Sequence, residues 1–133
     1  MAEFTWPVRV YYEDTDAGGV VYYANYLRFF ERTRTEFLRA LGFEQDELSA
    51  REGILFVVRS VQADYRRPAR FNDLLTVSCE VAEVKRASLV FFQQVRRGDA
   101  VLCEAAVRIA CLDARSFRPR PIPPALIQRI KDY

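Results

Sequence analysis

Between Ala24 and Leu41 the chain reads ANYLRFFERTRTEFLRAL, and no other stretch limits its possible folds as strongly. At a helical period, Tyr26, Phe30, Phe37 and Leu41 fall on one stripe, flanked by Leu27, Phe29, Thr33 and Leu38. Arg28, Glu31, Arg32, Thr35, Glu36 and Arg39 take the opposite side, and Gly42 supplies a stop. So wide and aromatic an arc predicts a central, heavily buried helix that the rest of the chain must wrap. Arg34 is out of place, because it falls inside the arc. Its commoner fates are to run its stem along apolar surface with the head in water, or to pair with Glu31. Facing a cleft is the third.

The wrapping is supplied by strands. Thr5 to Tyr12 reads as a first strand with Val8, Val10 and Tyr12 on one face. Phe43 to Gly53 is polar and reads as a short helix and turn. Ile54 to Arg67 alternates loosely and stops before Pro68. Leu74 to Lys85 alternates cleanly, with Leu75, Val77, Cys79 and Val81 on one face and Thr76, Ser78 and Glu80 on the other. Ser88 to Arg97 is aromatic and β-branched, Gly98-Asp99 suits a two-residue hairpin turn, and Ala100 to Asp113 puts Val101, Cys103, Ala105, Val107, Ile109 and Cys111 on one side. These connections are too short for crossover helices, so the meander is antiparallel. Arg115 to Pro124 reads as an extended, solvated basic tail, and Pro124 suits the first turn of a last helix through Lys131. The expectation is one α+β domain over residues 1–133, a curved antiparallel sheet of about five strands around one long helix.

Composition removes whole classes of chemistry. The chain has no histidine. Ser-His and Cys-His nucleophiles, His-containing zinc sites and imidazole acid–base catalysis are therefore excluded. Catalysis has to rest on carboxylates, hydroxyls, backbone dipoles or cations. With 20 basic and 18 acidic residues, bulk charge does not point to nucleic acid. No run is long enough to span a membrane, and the N-terminus does not read as a signal peptide. Cys79, Cys103 and Cys111 have no metal-like spacing and read as buried free thiols, which fits a reduced, cytoplasmic protein.

The chemistry gathers in the loop before the helix, Tyr12-Glu13-Asp14-Thr15-Asp16-Ala17-Gly18-Gly19-Val20-Val21-Tyr22-Tyr23-Ala24-Asn25-Tyr26. Carboxylates beside a glycine turn, just ahead of a helix N-terminus, lie next to unpaired N–H donors and the positive end of the helix dipole. Such a site can hold an oxyanion with a base beside it. On the residues alone, Asp14 and Asp16 serve equally well as an Asx-turn, and Gly18 and Gly19 as a plain flexible turn.

The strand, the motif D-T-D-A-G-G-V-V-Y-Y-A-N-Y, the helix and the meander together closely resemble the hotdog-fold acyl-CoA thioesterases. The likeness is closest to the branch of 4-hydroxybenzoyl-CoA thioesterase and the Tol–Pal-associated short-chain acyl-CoA thioesterases. It covers nearly the whole chain. Asp64-Tyr65-Arg66-Arg67-Pro68-Ala69-Arg70-Phe71-Asn72-Asp73 and Lys85-Arg86-Ala87-Ser88 look like further segments of that branch. The Tol–Pal-associated enzymes usually carry histidine where this chain has Tyr23; the 4-hydroxybenzoyl-CoA enzymes carry tyrosine. The resemblance implies that Asp16 is the catalytic carboxylate, as general base or nucleophile, and that the Tyr23 backbone N–H polarises the thioester carbonyl. It implies that Gly18, Gly19, Val20 and Tyr26 line the substrate and that Lys85, Arg86 and Ser88 hold the phosphates of coenzyme A. Asp14 then orders the turn.

The resemblance implies hydrolysis of an aromatic or short-chain acyl-CoA to the free acid and CoA, with no cofactor, no metal and no membrane insertion. It also implies a homodimer or homotetramer with sites at the subunit interface. The competing reading is a non-catalytic acyl-CoA or acyl-carrier-protein binding module on the same scaffold. A hotdog dehydratase generally needs the histidine this chain lacks.

Overall fold

The computed structural model describes residues 2–133. Helix α1 (Asn25–Ala40) lies on a five-stranded sheet made of β1 (Phe4–Arg9), β2 (Ile54–Tyr65), β3 (Leu74–Val84), β4 (Ser88–Arg97) and β5 (Ala100–Asp113). The strand order is β1-β3-β4-β5-β2, and every pairing is antiparallel. Two shorter helices, α2 (Gln45–Glu52) and α3 (Pro124–Asp132), close the ends. This is the expected α+β architecture.

The helix forms where the apolar period predicts it. Tyr26, Phe29, Phe30, Thr33, Phe37, Leu38 and Leu41 are all buried. They face the inward residues of the sheet, including Leu75, Val77, Cys79, Leu89, Phe91, Val95, Cys103, Ala105 and Val107. Thr33 folds its hydroxyl back onto the Phe29 carbonyl (2.9 Å), so a polar residue inside the arc costs little. The helix packs chiefly against β3, β1 and β4, and little of it lies over β2. Leu27, expected on the flank of the buried arc, is consequently exposed, as are Val58 and Val61 of β2.

Several expectations need correction. The first strand ends at Arg9. Val10 still exchanges backbone hydrogen bonds with Asn72 and Asp73, but the Tyr11 N–H is captured by Asp14 Oδ2 (2.8 Å), and Tyr12–Asp14 winds into a 3₁₀ turn. Tyr12 therefore points to solvent, where its ring stacks on Phe71. The second strand ends at Tyr65 and the third at Val84. Ser78, assigned to the outer face, is buried because its hydroxyl accepts the Gln94 N–H (2.9 Å). The basic tail is not simply solvated. Ile122 is buried, and Arg120 Nη1 binds both Asp113 Oδ1 (3.2 Å) and the Gly53 carbonyl (3.1 Å).

Arg34 neither snorkels nor pairs with Glu31. It is 9% exposed, and its Nη1 donates to Oε1 of Gln93 (3.0 Å), which is wholly buried. Gln93 Nε2 in turn donates to the carbonyls of Phe30 (3.1 Å) and Ser78 (3.2 Å), tying helix to sheet through the core. Burial lowers the Arg34 pKa from the ordinary arginine value. The sequence held a signal for this partner: Gln93 shares strand parity with Leu89, Phe91 and Val95, all buried.

Phe30→Ala is expected to cost about 3–5 kcal/mol of unfolding free energy, because a fully enclosed ring is replaced by a cavity at the helix–sheet contact. Denaturant unfolding measures this, and a loss under 1 kcal/mol would contradict the central position given to the helix.

Candidate active site

The loop between β1 and α1 is held at both ends by backbone pairing. Thr15 bridges Val21, Val20 bridges Arg70, and the Val21 N–H donates to the Ala69 carbonyl (2.9 Å). Inside this frame the two aspartates do different work. Asp14 is buried; its carboxylate accepts from Tyr11, and its carbonyl accepts from the Tyr22 N–H (3.0 Å) and Asn25 Nδ2 (2.9 Å). It fastens the loop to the first turn of α1, the turn-ordering task expected of it.

Asp16 is exposed at the tip. Its N–H donates to the Val20 carbonyl (2.9 Å), its carbonyl accepts from the Gly19 N–H (3.0 Å), and its Oδ1 accepts from the Gly18 N–H (2.8 Å). The Asx-turn geometry is therefore present. No side chain or amide among the described residues reaches Oδ2, so the turn fixes the carboxylate and leaves one oxygen open. Gly19 has φ +78°, a left-handed conformation that favours glycine. At Gly18 a Cβ would lie 3.2 Å from Asp16 Oδ1, tighter than an ordinary contact, so a side chain there would disturb the same carboxylate.

Helix α1 begins without an acidic residue in its first turn and without a side-chain cap at Ala24. The Tyr23 and Ala24 N–H groups have no backbone acceptor among the described residues. An uncapped helix start offers open donors and the positive end of the dipole to an anion.

The Tyr23 side chain is exposed and leans over a cleft of about 200 Å³, lined by Val21, Tyr23, Tyr26, Tyr65, Arg66 and Pro68 among others. Tyr65 meets Tyr26 edge-on at 5.5 Å and Tyr23 at 6.1 Å. Tyr26 is buried, and its hydroxyl accepts the Ala69 N–H (3.0 Å). Burial raises the pKa of both Tyr26 and Tyr65, so these phenols stay protonated at neutral pH. Tyr65 is the residue that sequence reasoning assigned no role. Its aromatic character at the last position of a strand is a weak signal, because only the tertiary fold places it beside Tyr23.

The remaining candidates lie elsewhere. Lys85, Arg86 and Ser88 form the turn from β3 to β4, with the Lys85 N–H donating to the Ser88 carbonyl (2.8 Å) and Lys85 Nζ 3.5 Å from Glu83. The Asp16 loop leaves β1 beside Leu74, the first residue of β3, and the Lys85 turn follows its last. An 11-residue strand separates them, roughly 35 Å at 3.3 Å per residue. One chain does not bring these cations and Asp16 together.

A family model described as Thioesterase-like superfamily matches residues 10–130. An acyl-CoA thioesterase YbgC of Haemophilus influenzae is 50% identical over 120 residues, covering 90% of this chain and 88% of the relative. An acyl-CoA thioester hydrolase YbgC of Escherichia coli O6:H1 is 46% identical over 129 residues, covering 96% of each. Among solved structures, a probable thioesterase from Bartonella henselae superposes with a TM-score of 0.88 at 39% identity, over 92% of this chain and 100% of that one. The five-stranded antiparallel sheet on one long helix and these matches together place the chain in the thioesterase-like superfamily, on the hotdog fold.

Proposed function

We propose that this protein is an acyl-CoA thioesterase that hydrolyses an aromatic or short-chain acyl-CoA to the free acid and CoA. The observation that carries the proposal is the Asp16 carboxylate, fixed by the Gly18 N–H with one oxygen open, in the loop that leads to the open amides of Tyr23 and Ala24. The names of the relatives support the same chemistry. Asp16 takes a proton from water as it attacks the thioester carbonyl, and the Tyr23 N–H holds the oxyanion that forms. The tetrahedral species then collapses, the C–S bond breaks, and the departing thiolate takes up the proton. The covalent variant has Asp16 attack the carbonyl directly, breaking the C–S bond and expelling the CoA thiolate to leave a mixed anhydride, which water opens to the free acid and the regenerated Asp16 carboxylate. The aromatic cleft beside Tyr23 suits a planar or short acyl group. On either route Asp16→Asn is expected to lower kcat about 10²–10⁴-fold for benzoyl-CoA and short aliphatic CoA esters. Turnover within a few-fold of the parent would remove Asp16 from the mechanism. Tight CoA-ester binding by the parent with no hydrolysis across a thioester panel would instead support the binding-module reading.

We further propose that the active form is a homo-oligomer built across β2. This edge strand has 12 residues, no proline and a free outer side, with Val58 and Val61 exposed beside Leu27. An unprotected edge of that length invites pairing, whereas the other edge, β1, has six residues and carries Pro7. Antiparallel pairing about a two-fold axis reverses the second sheet. That reversal brings the partner's Lys85, Arg86 and Ser88 to the end that carries Asp16, where they suit the phosphates of CoA. Val61→Lys is expected to give a monomer by light scattering and to lower kcat/KM at least tenfold. A fully active monomer would overturn the interface.

The proposed chemistry requires no metal or cofactor, and among the described residues no group of three or more metal-ligating side chains comes together. Activity is expected to survive dialysis against EDTA; its loss, restored by a divalent cation, would overturn the mechanism. No described helix is long and apolar enough to cross a membrane. Three free buried cysteines support a cytoplasmic setting.

A further inference from the structure

The buried guanidinium of Arg34 has more donors than the protein uses. Of its five N–H groups, the only side-chain partner among the described residues is Gln93 Oε1, and no carboxylate lies within ion-pair distance. No fully enclosed side-chain nitrogen or oxygen among the described residues lacks a partner, so the remaining Arg34 nitrogens open onto free space. Arg34 borders two such spaces, a cleft beside Leu27 and Val61 and a cavity of about 160 Å³ between α1 and the inner face of β2, β4 and β5, and the cavity is the one of single-ring size. Leu38, Phe56, Val58, Leu89, Phe91 and Ile109 line its apolar walls, Val58 being part of the edge proposed above as the subunit interface, and Arg34 is its one cation. Glu31 lines it from the exposed side of the helix, with Oε2 directed at the Thr35 hydroxyl (3.4 Å).

A buried charge with unused donors is costly unless an anion meets it. The volume is close to that of a cavity known to hold benzene, about 150 Å³. We propose that this cavity is a binding site for an organic carboxylate with an apolar body of about one aromatic ring, its carboxylate gripped by Arg34. A planar guanidinium pairs with a carboxylate through two parallel N–H···O bonds. Gln93, locked by the Phe30 and Ser78 carbonyls, holds the third side of the fork and fixes its orientation. Glu31 sets the direction of entry, since its negative charge keeps a second carboxylate away from the rim and drives it toward Arg34.

The site is distinct, within one chain, from the loop that carries Asp16. Arg34 lies nine residues beyond Asn25, about 14 Å along the helix at 1.5 Å per residue. Two sources share the required chemistry: a free acid, and the distal carboxylate of an ω-carboxyacyl thioester reaching in from a partner's site. Only the second rests on the thioesterase reading.

Titration with benzoate by calorimetry or ligand-observed NMR tests the site. Saturable binding is expected, with benzamide at least tenfold weaker because it lacks the charge. Arg34→Gln is expected to weaken benzoate at least tenfold, and Glu31→Gln to tighten it two-fold or more. The benzoate–benzamide pair and Glu31→Gln keep the test sound if Arg34→Gln fails to fold. No saturable benzoate binding, or equal affinity for benzoate and benzamide, would overturn the proposal. Comparing glutaryl-CoA with pentanoyl-CoA separates the sources. A fivefold preference for glutaryl-CoA that Arg34→Gln abolishes assigns the site to the acyl end; benzoate binding without that preference assigns it to a free acid. Benzoate binding by a protein that hydrolyses no thioester would sink the thioesterase reading and leave the site standing.

Discussion

The structure depends on a mismatch of widths. A single helix some 10 Å across cannot cover five strands set about 4.8 Å apart. Helix α1 settles over β3 with β1 and β4 at its sides, and that choice follows from where its large residues point. Phe37 meets Phe91 at 6.1 Å and Tyr133 at 5.3 Å edge-on and Phe4 at 5.7 Å in a tilted contact, so one ring gathers β4, β1 and the chain end. With the helix placed there, β2 and part of β5 are left with little above them. The exposed Leu27, Val58 and Val61, and the cavity beneath Arg34, all lie in that uncovered strip.

The second constraint is the polarity of the meander. Strands β2 to β5 run the length of the sheet, so every turn between them belongs to one end or the other. The Asp16 loop, Tyr65, Leu74 and the Gly98 turn share one end; the Lys85 turn, Ile54 and Asp113 share the other. Asp16 and the Lys85 turn, which the resemblance assigns to one substrate, are thereby separated in one chain by the length of β3. A two-fold across the free edge is the simplest operation that reunites them, because antiparallel pairing exchanges the ends. The catalytic proposal and the oligomer proposal therefore lean on the same topological fact.

Periodicity was a good guide wherever burial alone decides conformation. The extent of α1, the start of every later strand and the Gly98 turn all follow from apolar spacing and one glycine with φ +57°. It misled where a polar side chain captures backbone. Tyr12 continues the alternation of Val8 and Val10, yet Asp14 bends the chain before the alternation can be used. Ser78 reads as an outward residue but is buried by a hydrogen bond to the next strand. Arg34 is the sharpest case, since its partner Gln93 lies 59 residues away and no local rule relates them. Within the loop, the residues alone left Asp14 and Asp16 equivalent. What separates them is tertiary: one carboxylate is enclosed and spends itself on Tyr11, while the other is exposed with an oxygen free.

In the mechanism proposed above, that separation lets a histidine-free site be both stable and reactive. A carboxylate needed for structure gains from enclosure and full hydrogen bonding, and one needed for chemistry must keep a lone pair for substrate. A single aspartate cannot do both. Asp14 ties the loop to Tyr11, Tyr22 and Asn25, and the Asp16 backbone is pinned by Val20 and Gly19, so that its carboxylate is fixed by a single hydrogen bond from the Gly18 N–H. The glycines complete the division. Gly19 allows the reversal that aims the Gly18 N–H at Oδ1, and the absent side chain at Gly18 leaves that oxygen room. The two aspartates and two glycines thus act as one device, in which the three contacts at Asp14 set the position of the open Asp16 carboxylate.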